Sequence, residues 1–205
     1  MKVGIVILAA GESSRMGVPK QLLHIDGQSL IKRITEMAMD TPCYPVVVVL
    51  GANRSMIRKE LERMPITIID NPQWESGMSS SIKMGLVGAY MTFKDLEAVI
   101  FLTVDMPFVS VDLVQKMIAK AIEKSAAMLE SPEIVACKYD GQIGVPVLFK
   151  RCLFNDLLEL RGDNGAKKII LANKQKTVTI DFPEGKTDLD TIDEYRNFLS
   201  NYNQN

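Results

Sequence analysis

Between Val3 and Leu23 the chain reads VGIVILAAGESSRMGVPKQLL, passing from an apolar run through a glycine loop to Lys20. Val3, Ile5, Val6, Ile7 and Leu8 suit a strand covered on both faces. Ala9, Ala10 and Gly11 then shrink the side chains where that strand ends, which lets a ligand approach the backbone closely. Ser13, Ser14 and Arg15 follow, with Gly17, Pro19 and Lys20 behind them. Backbone N–H groups of a glycine-containing turn, an arginine and a lysine are the parts needed to hold and neutralise a polyphosphate. The expected ligand is a nucleoside triphosphate. The loop is not a Walker A motif, because Gly11 and Gly17 enclose five residues and Lys20 is followed by Gln21. The dinucleotide fingerprint GxGxxG is absent as well.

Further candidates stand at the ends of later apolar runs. Ala98 to Val104 reads as a strand, with Asp105 at its end in VDMP. Ligands of open parallel sheets sit beyond the carboxyl ends of strands, so this carboxylate is expected in the same crevice as Gly11 and Lys20. Mg²⁺ is a hard cation held by one or two carboxylates together with substrate phosphates, which suits Asp105. Its competing role is a cap for the helix Ser110 to Lys124, a job that Pro107 or Ser110 can also do. In DLDTIDEY, Asp188, Asp190 and Asp193 open a helix, either as dipole and cap partners or, for Asp190, as a second carboxylate on the metal. The block Asp70 to Gly88 carries Trp74 and, at a helix start, Ser79, Ser80 and Ser81. Such serines either cap the helix or read a nucleobase edge or bind an anion.

The elements that must position these groups alternate. Ser29 to Met39 has the apolar spacing of an amphipathic helix, Pro45 to Leu50 reads as a strand, a helix runs from a cap at Asn53 or Ser55 through Arg63, and Ile66 to Ile69 is a third strand. This is the pattern of a parallel sheet with crossover helices. Ile134 to Cys137 and Val145 to Phe149 flank Asp140-Gly141 as a hairpin added to that sheet. Helices over Leu153 to Leu160 and Gly165 to Ala172 follow, the second capped by Asp163 or Asn164. Val178 to Ile180 is a last strand, before a helix ending near Leu199. Residues 1–200 are expected to form one domain, with a frayed tail at 201–205.

Composition excludes several classes. A formal net charge of −1 gives no electrostatic case for a nucleic-acid or acidic-membrane partner. No run approaches the roughly 18 to 20 apolar residues that span a bilayer, so a cytoplasmic protein is expected. Cys43, Cys137 and Cys152 lack metal-ligand spacing and read as ordinary thiols. His24, the only histidine, sits in QLLHIDG and reads as a packed or surface residue rather than a base.

Taken in order, LAAGESSRMGVPKQLL, NPQWESGMSSSIKMGL, VDMPFVS, GVPVLF, GDNGAKK and DLDT resemble the nucleotidyltransferases of MobA-like or glycosyltransferase-A-like fold, and within them the molybdenum cofactor cytidylyltransferases. The resemblance implies an α/β fold, a Rossmann-like three-layer sandwich with a mostly parallel sheet and an added β-hairpin. It implies transfer of CMP from CTP to the terminal phosphate of molybdenum cofactor, releasing pyrophosphate. By the same resemblance, Leu8, Ala9, Ala10 and Gly11 lie against base and ribose, and Ser13, Arg15 and Lys20 hold the triphosphate. Asn71, Ser79 and Ser80 serve base recognition, Asp105 and Asp190 hold Mg²⁺, and Asp163, Gly165 and Lys167 face the acceptor. Arg15, Lys20 and Asp105 are the implied catalytic residues, and a molybdoenzyme or its chaperone is the implied client. Ala10 favours the cytidylyl over the guanylyl branch, which reads LAGG, whereas Met106 departs from the DQP often found there. Lys167 and Ile192 also depart from the family pattern. A GTP-dependent guanylyltransferase, a transferase using another small phosphorylated acceptor, and a non-catalytic cofactor-binding protein remain as alternatives.

Overall fold

The computed structural model describes residues 1–14, 16–123, 131–163, 165–187 and 189–202. The strands in chain order are β1 (Val3–Ala9), β2 (His24–Ile25), β3 (Gln28–Ser29), β4 (Val46–Leu50), β5 (Thr67–Asp70), β6 (Ala98–Thr103), β7 (Ile134–Tyr139), β8 (Gln142–Lys150) and β9 (Thr177–Asp181). The α-helices are α1 (Leu30–Met39), α2 (Arg54–Glu60), α3 (Met78–Thr92), α4 (Val111–Ile122), α5 (Phe154–Glu159), α6 (Lys167–Ala172) and α7 (Ile192–Tyr202). Seven strands make one sheet in the order β5-β4-β1-β6-β8-β7-β9. Only β8 runs against its neighbours, since β1 pairs in parallel with β4 and β6, and β7 in parallel with β9. The expected hairpin is therefore β7–β8, inserted between β6 and β9 rather than hung on an edge.

Strand periodicity divides the core in two. Ile5, Ile7, Val46, Val48, Ile100 and Leu102 face α1, α2, α4 and α7 on one side. Val6, Val47, Val49, Val99 and Phe101 face α3, α5 and α6 on the other. Near-continuous apolar runs are what strands covered on both faces require, and each fully buried Val, Ile or Phe contributes about 1.5 to 3 kcal/mol. Helix α3 approaches the sheet closely, because a Cβ on Gly85 would lie 2.3 Å from Val6 Cγ1.

Several boundaries differ from the sequence reading. Helix α2 stops at Glu60 instead of reaching Arg63, which adopts a left-handed φ of 67°. Asn53 takes the position before α2 with a left-handed φ of 56° and no side-chain capping bond, and Ser55 lies inside the helix. Helix α6 starts at Lys167, after Ala166, so Asp163 is not its cap, and Asn164 lies outside the described residues. Helix α7 continues to Tyr202, whose ring stacks on Phe198 and whose hydroxyl meets Arg33 and Asp26. The short β2–β3 hairpin was not anticipated, although Asp26-Gly27 is a hairpin-turn signal; their φ values are 53° and 76°. Among the described residues no helix is long and apolar enough to cross a membrane.

Candidate active site

A cavity of about 440 Å³ opens at the carboxyl ends of β1 and β6 and at the start of α3. Leu8, Ala10 and Gly11 form its β1 wall, Thr103, Val104 and Asp105 its β6 wall, and Trp74, Gly77, Met78 and Ser81 the opposite side. Two strands that pair in parallel bring Gly11 and Asp105 to one place, as the sheet's hydrogen-bond register dictates: Leu8 lies beside Thr103.

At the cavity's edge the Lys20 ammonium joins two carboxylates, with Nζ 2.5 Å from Asp105 Oδ2 and 2.8 Å from Asp190 Oδ1. All three side chains are largely enclosed, at 18%, 14% and 26% exposure. Burial opposes the charge on Lys20, but the field and hydrogen bonds of Asp105 and Asp190 outweigh it and raise the ammonium's pKa above the ordinary lysine value. Capping does not explain either aspartate. Ser110 caps α4 by accepting from Leu113 N. At α7, Thr191 and Glu194 form a reciprocal capping box, with Thr191 N donating to Glu194 Oε2 and Glu194 N to Thr191 Oγ1.

The loop between β1 and Lys20 is braced from within. The Gln21 amide, 2% exposed, donates to the carbonyls of Ala9 and Gly11 at 3.1 and 2.9 Å. Lys20 N donates to Ser13 Oγ at 3.0 Å, so the Ser13 hydroxyl ties the loop together, and it is Ser14 that lines the cavity. Arg15 lies outside the described residues. Gln21 was not singled out in the sequence, where an amide between Lys20 and Leu22 carries no signal of its inward turn.

The serine cluster is divided by its partners. Ser79 Oγ donates to Gly162 O at 2.6 Å, and Ser80 Oγ to Gln73 O and Gly77 O at 2.9 and 2.8 Å. Asn71, 1% exposed, donates to Ser80 Oγ and Ser81 Oγ at 2.8 and 3.0 Å and accepts from Gln73 N. Asn71, Ser79 and Ser80 thus shape the turn, while Ser81 faces the cavity with its oxygen already accepting from Asn71.

Of the residues assigned to the acceptor, Asp163 reaches the cavity. It does so because its loop docks on the start of α3: Gly162 O accepts from Ser79 N, and a Cβ on Gly77 (φ 102°) would lie 2.3 Å from Asp163 Oδ1. Gly165 lies beside Met78, where a Cβ would be 3.2 Å from its sulfur, and Lys167 is exposed at the start of α6 without lining the cavity.

The donor set suits a hard divalent cation. One cationic atom already touches Asp105 and Asp190 together, and among the described residues no group of three or more His, Cys, Asp or Glu side chains forms a self-sufficient metal cluster. Two carboxylates completed by ligand oxygens are the usual Mg²⁺ environment. Glu12, Glu75 and Asp163 add further carboxyl groups to the lining, against the single ammonium of Lys20 among the described lining residues.

Fold and site define an α/β protein of the nucleotidyltransferase architecture, with its polar centre beyond the ends of parallel strands. The chain belongs to the MobA-like NTP transferase domain family, whose profile matches residues 5–178. It is 30% identical over 203 residues to the nicotine blue oxidoreductase of Paenarthrobacter nicotinovorans, covering 95% of each chain. It is 24% identical over 194 residues to the molybdenum cofactor cytidylyltransferase of Escherichia coli (strain K12), covering 94% of this chain and 93% of that protein. Among solved structures, the homolog of Mycobacterium tuberculosis rv0371c from Mycobacterium sp. strain JC1 superposes with a TM-score of 0.79 at 27% identity, over 100% of this chain and 99% of the other. The nucleotidyl transferase Mth528 from Methanothermobacter thermautotroptrophicus shares the fold, with a TM-score of 0.81 at 18% identity over 99% and 98% of the two chains.

Proposed function

We propose that this protein is a Mg²⁺-dependent nucleotidyltransferase that moves CMP from CTP to the terminal phosphate of molybdenum cofactor and releases pyrophosphate. The observation that carries the reading is the convergence of Lys20, Asp105 and Asp190 beside a cavity walled by Leu8, Ala10, Gly11 and the start of α3. Base and ribose lie against the segment from Leu8 to Gly11, and the Ser81 hydroxyl donates to the base edge on a turn fixed by Asn71, Ser79 and Ser80. Arg15 and Lys20 hold the triphosphate. Asp105 and Asp190 hold the divalent cation, which supplies charge neutralisation at the reacting phosphates. An excess of carboxyl groups in the described lining supports this requirement, since a polyanion enters such a cavity only with its own counter-charge.

An oxygen of the acceptor phosphate bonds to the α-phosphorus of CTP as the bond to the β-phosphate oxygen breaks, and the electron pair leaves on pyrophosphate. Because the acceptor brings its own nucleophile, the chain needs to supply only position and charge stabilisation. Asp163, with Gly165 and Lys167 behind it, borders the acceptor. Ala10 supports CTP, since its Cβ stands on the cavity wall where a purine edge needs room. Trp74 is the only tryptophan and lines the cavity, so its fluorescence reports binding directly. Saturable quenching by CTP with Mg²⁺, and much weaker quenching by GTP, is the expected result. The reverse order moves the protein to the guanylyl branch.

The likeness to nicotine blue oxidoreductase favours a second reading, an oxidoreductase on the same scaffold. Redox turnover of nicotine blue, together with no response of Trp74 to nucleoside triphosphates, selects it over the first.

A further inference from the structure

We propose that Lys20 is an exchangeable internal counter-ion, which a divalent cation must displace, and that a polyphosphate strengthens cation binding by receiving the released ammonium. The inference rests on the nucleotidyltransferase reading of the site. Lys20 Nζ occupies the space between Asp105 Oδ2 and Asp190 Oδ1, at 2.5 and 2.8 Å. A divalent cation requires its carboxylate oxygens at about 2.0 to 2.1 Å for Mg²⁺. An ammonium has donors and no acceptor, so it cannot join that coordination shell and only repels a second cation held on the same two oxygens.

The lysine is built to leave without disturbing the loop. Its backbone N–H is held by Ser13 Oγ at 3.0 Å, and the following Gln21 is anchored to Ala9 O and Gly11 O, so the main chain stays fixed while the flexible four-carbon stem moves. The ammonium then moves along a cavity bordered by Glu12, Glu75 and Asp163. A polyphosphate is the ligand that offers anionic oxygens to the lysine and the metal at once. Metal alone strips Lys20 of both partners in a largely enclosed site; metal with polyphosphate leaves neither cation unpaired.

Competitive amine acetylation read by peptide mass spectrometry tests the exchange, with Mn²⁺ binding followed in parallel by electron paramagnetic resonance. Lys2, exposed in its pair with Asp95, is the internal reference. In the metal-free protein Lys20 should be acetylated far more slowly than Lys2. Saturating Mn²⁺ alone should raise the Lys20 rate roughly tenfold or more, and Mn²⁺ with a non-hydrolysable CTP analogue should restore protection. Lys20→Met should bind Mn²⁺ alone about tenfold or more tightly than wild type, and Asp105→Asn should lose that binding. Mn²⁺ binding to wild type with no change in Lys20 acetylation overturns the exchange and leaves the cation site standing. Failure of wild type and Lys20→Met to bind Mn²⁺, with or without the analogue, overturns the cation site and the exchange together.

Discussion

The side chain of Gln21 donates a 2.9 Å hydrogen bond to the carbonyl of Gly11, turning an amide inward beneath the loop that ends β1. The same nitrogen reaches Ala9 O, and the residue is 2% exposed. Gln21→Leu leaves both carbonyls without this donor, and a buried unsatisfied polar group costs about 1 to 3 kcal/mol. Urea unfolding should show a loss in that range. CTP affinity at a denaturant-free, fully folded concentration should fall as well, because the loop loses its brace. A fully stable variant with unchanged affinity contradicts the bracing role.

Ser80 and Ser81 are adjacent yet differ in what their hydroxyls do. Ser80→Ala removes bonds to Gln73 and Gly77 and should cost about 1 kcal/mol of stability. Ser81→Ala should leave the melting temperature closer to wild type and raise the KM for CTP, since its hydroxyl faces the cavity. Paired thermal melts and initial-rate kinetics check this; the opposite pattern assigns the base contact to Ser80.

Gly85→Ala drives a methyl group into Val6, where the nearest atom is 2.3 Å away. Overpacking of this kind costs about 1 to 3 kcal/mol. Calorimetry should record the loss, and an unchanged melting temperature shows that α3 can move off the sheet.

Burial pushes the Cys137 thiol from 9.0 up to about 12, and burial raises Cys43 too. The folded protein keeps these protons while the unfolded chain releases them, so the Cys137 contribution to stability is fully present well below pH 9.0 and falls as pH rises toward 12, and Cys43 acts in the same direction. The slope contributed by Cys137 approaches about 1.4 kcal/mol per pH unit inside that window. Lys20 acts in the same direction higher up, its ion pairs being lost as pH passes its raised pKa. Urea midpoints from pH 8 to 11 should decline for wild type and decline less for Cys137→Ala. Alkylation at pH 8 should modify exposed Cys152 first, and Cys43 and Cys137 only on unfolding.

Much of this arrangement could be read from the chain because it depends on local pattern. The runs at Val3 to Leu8 and Ala98 to Val104 end abruptly in Gly11 and Asp105, and parallel pairing then brings those ends together. Hydroxyl direction could not be read in that way. Whether Ser79, Ser80 or Ser81 faces a ligand is decided by Asn71 and by Gly162, which is 83 residues from Ser79 in sequence. The sequence placed Asp105 in one crevice with Lys20 and gave both aspartates to one cation, but the direct ion pairs of Lys20 with the two carboxylates depend on a contact spanning 170 residues that no spacing encodes. The role of Gln21 depends on a side-chain rotation that no spacing encodes.

Anaerobic pyrophosphate release is the most direct test of nucleotidyl transfer, with isolated molybdenum cofactor, Mg²⁺ and either CTP or GTP, and with Asp105→Ala as control. The account predicts release with CTP that depends on the cofactor and is lost in Asp105→Ala while its melting curve stays cooperative. Turnover by the variant equal to wild type, or no release by wild type with either nucleotide, contradicts it.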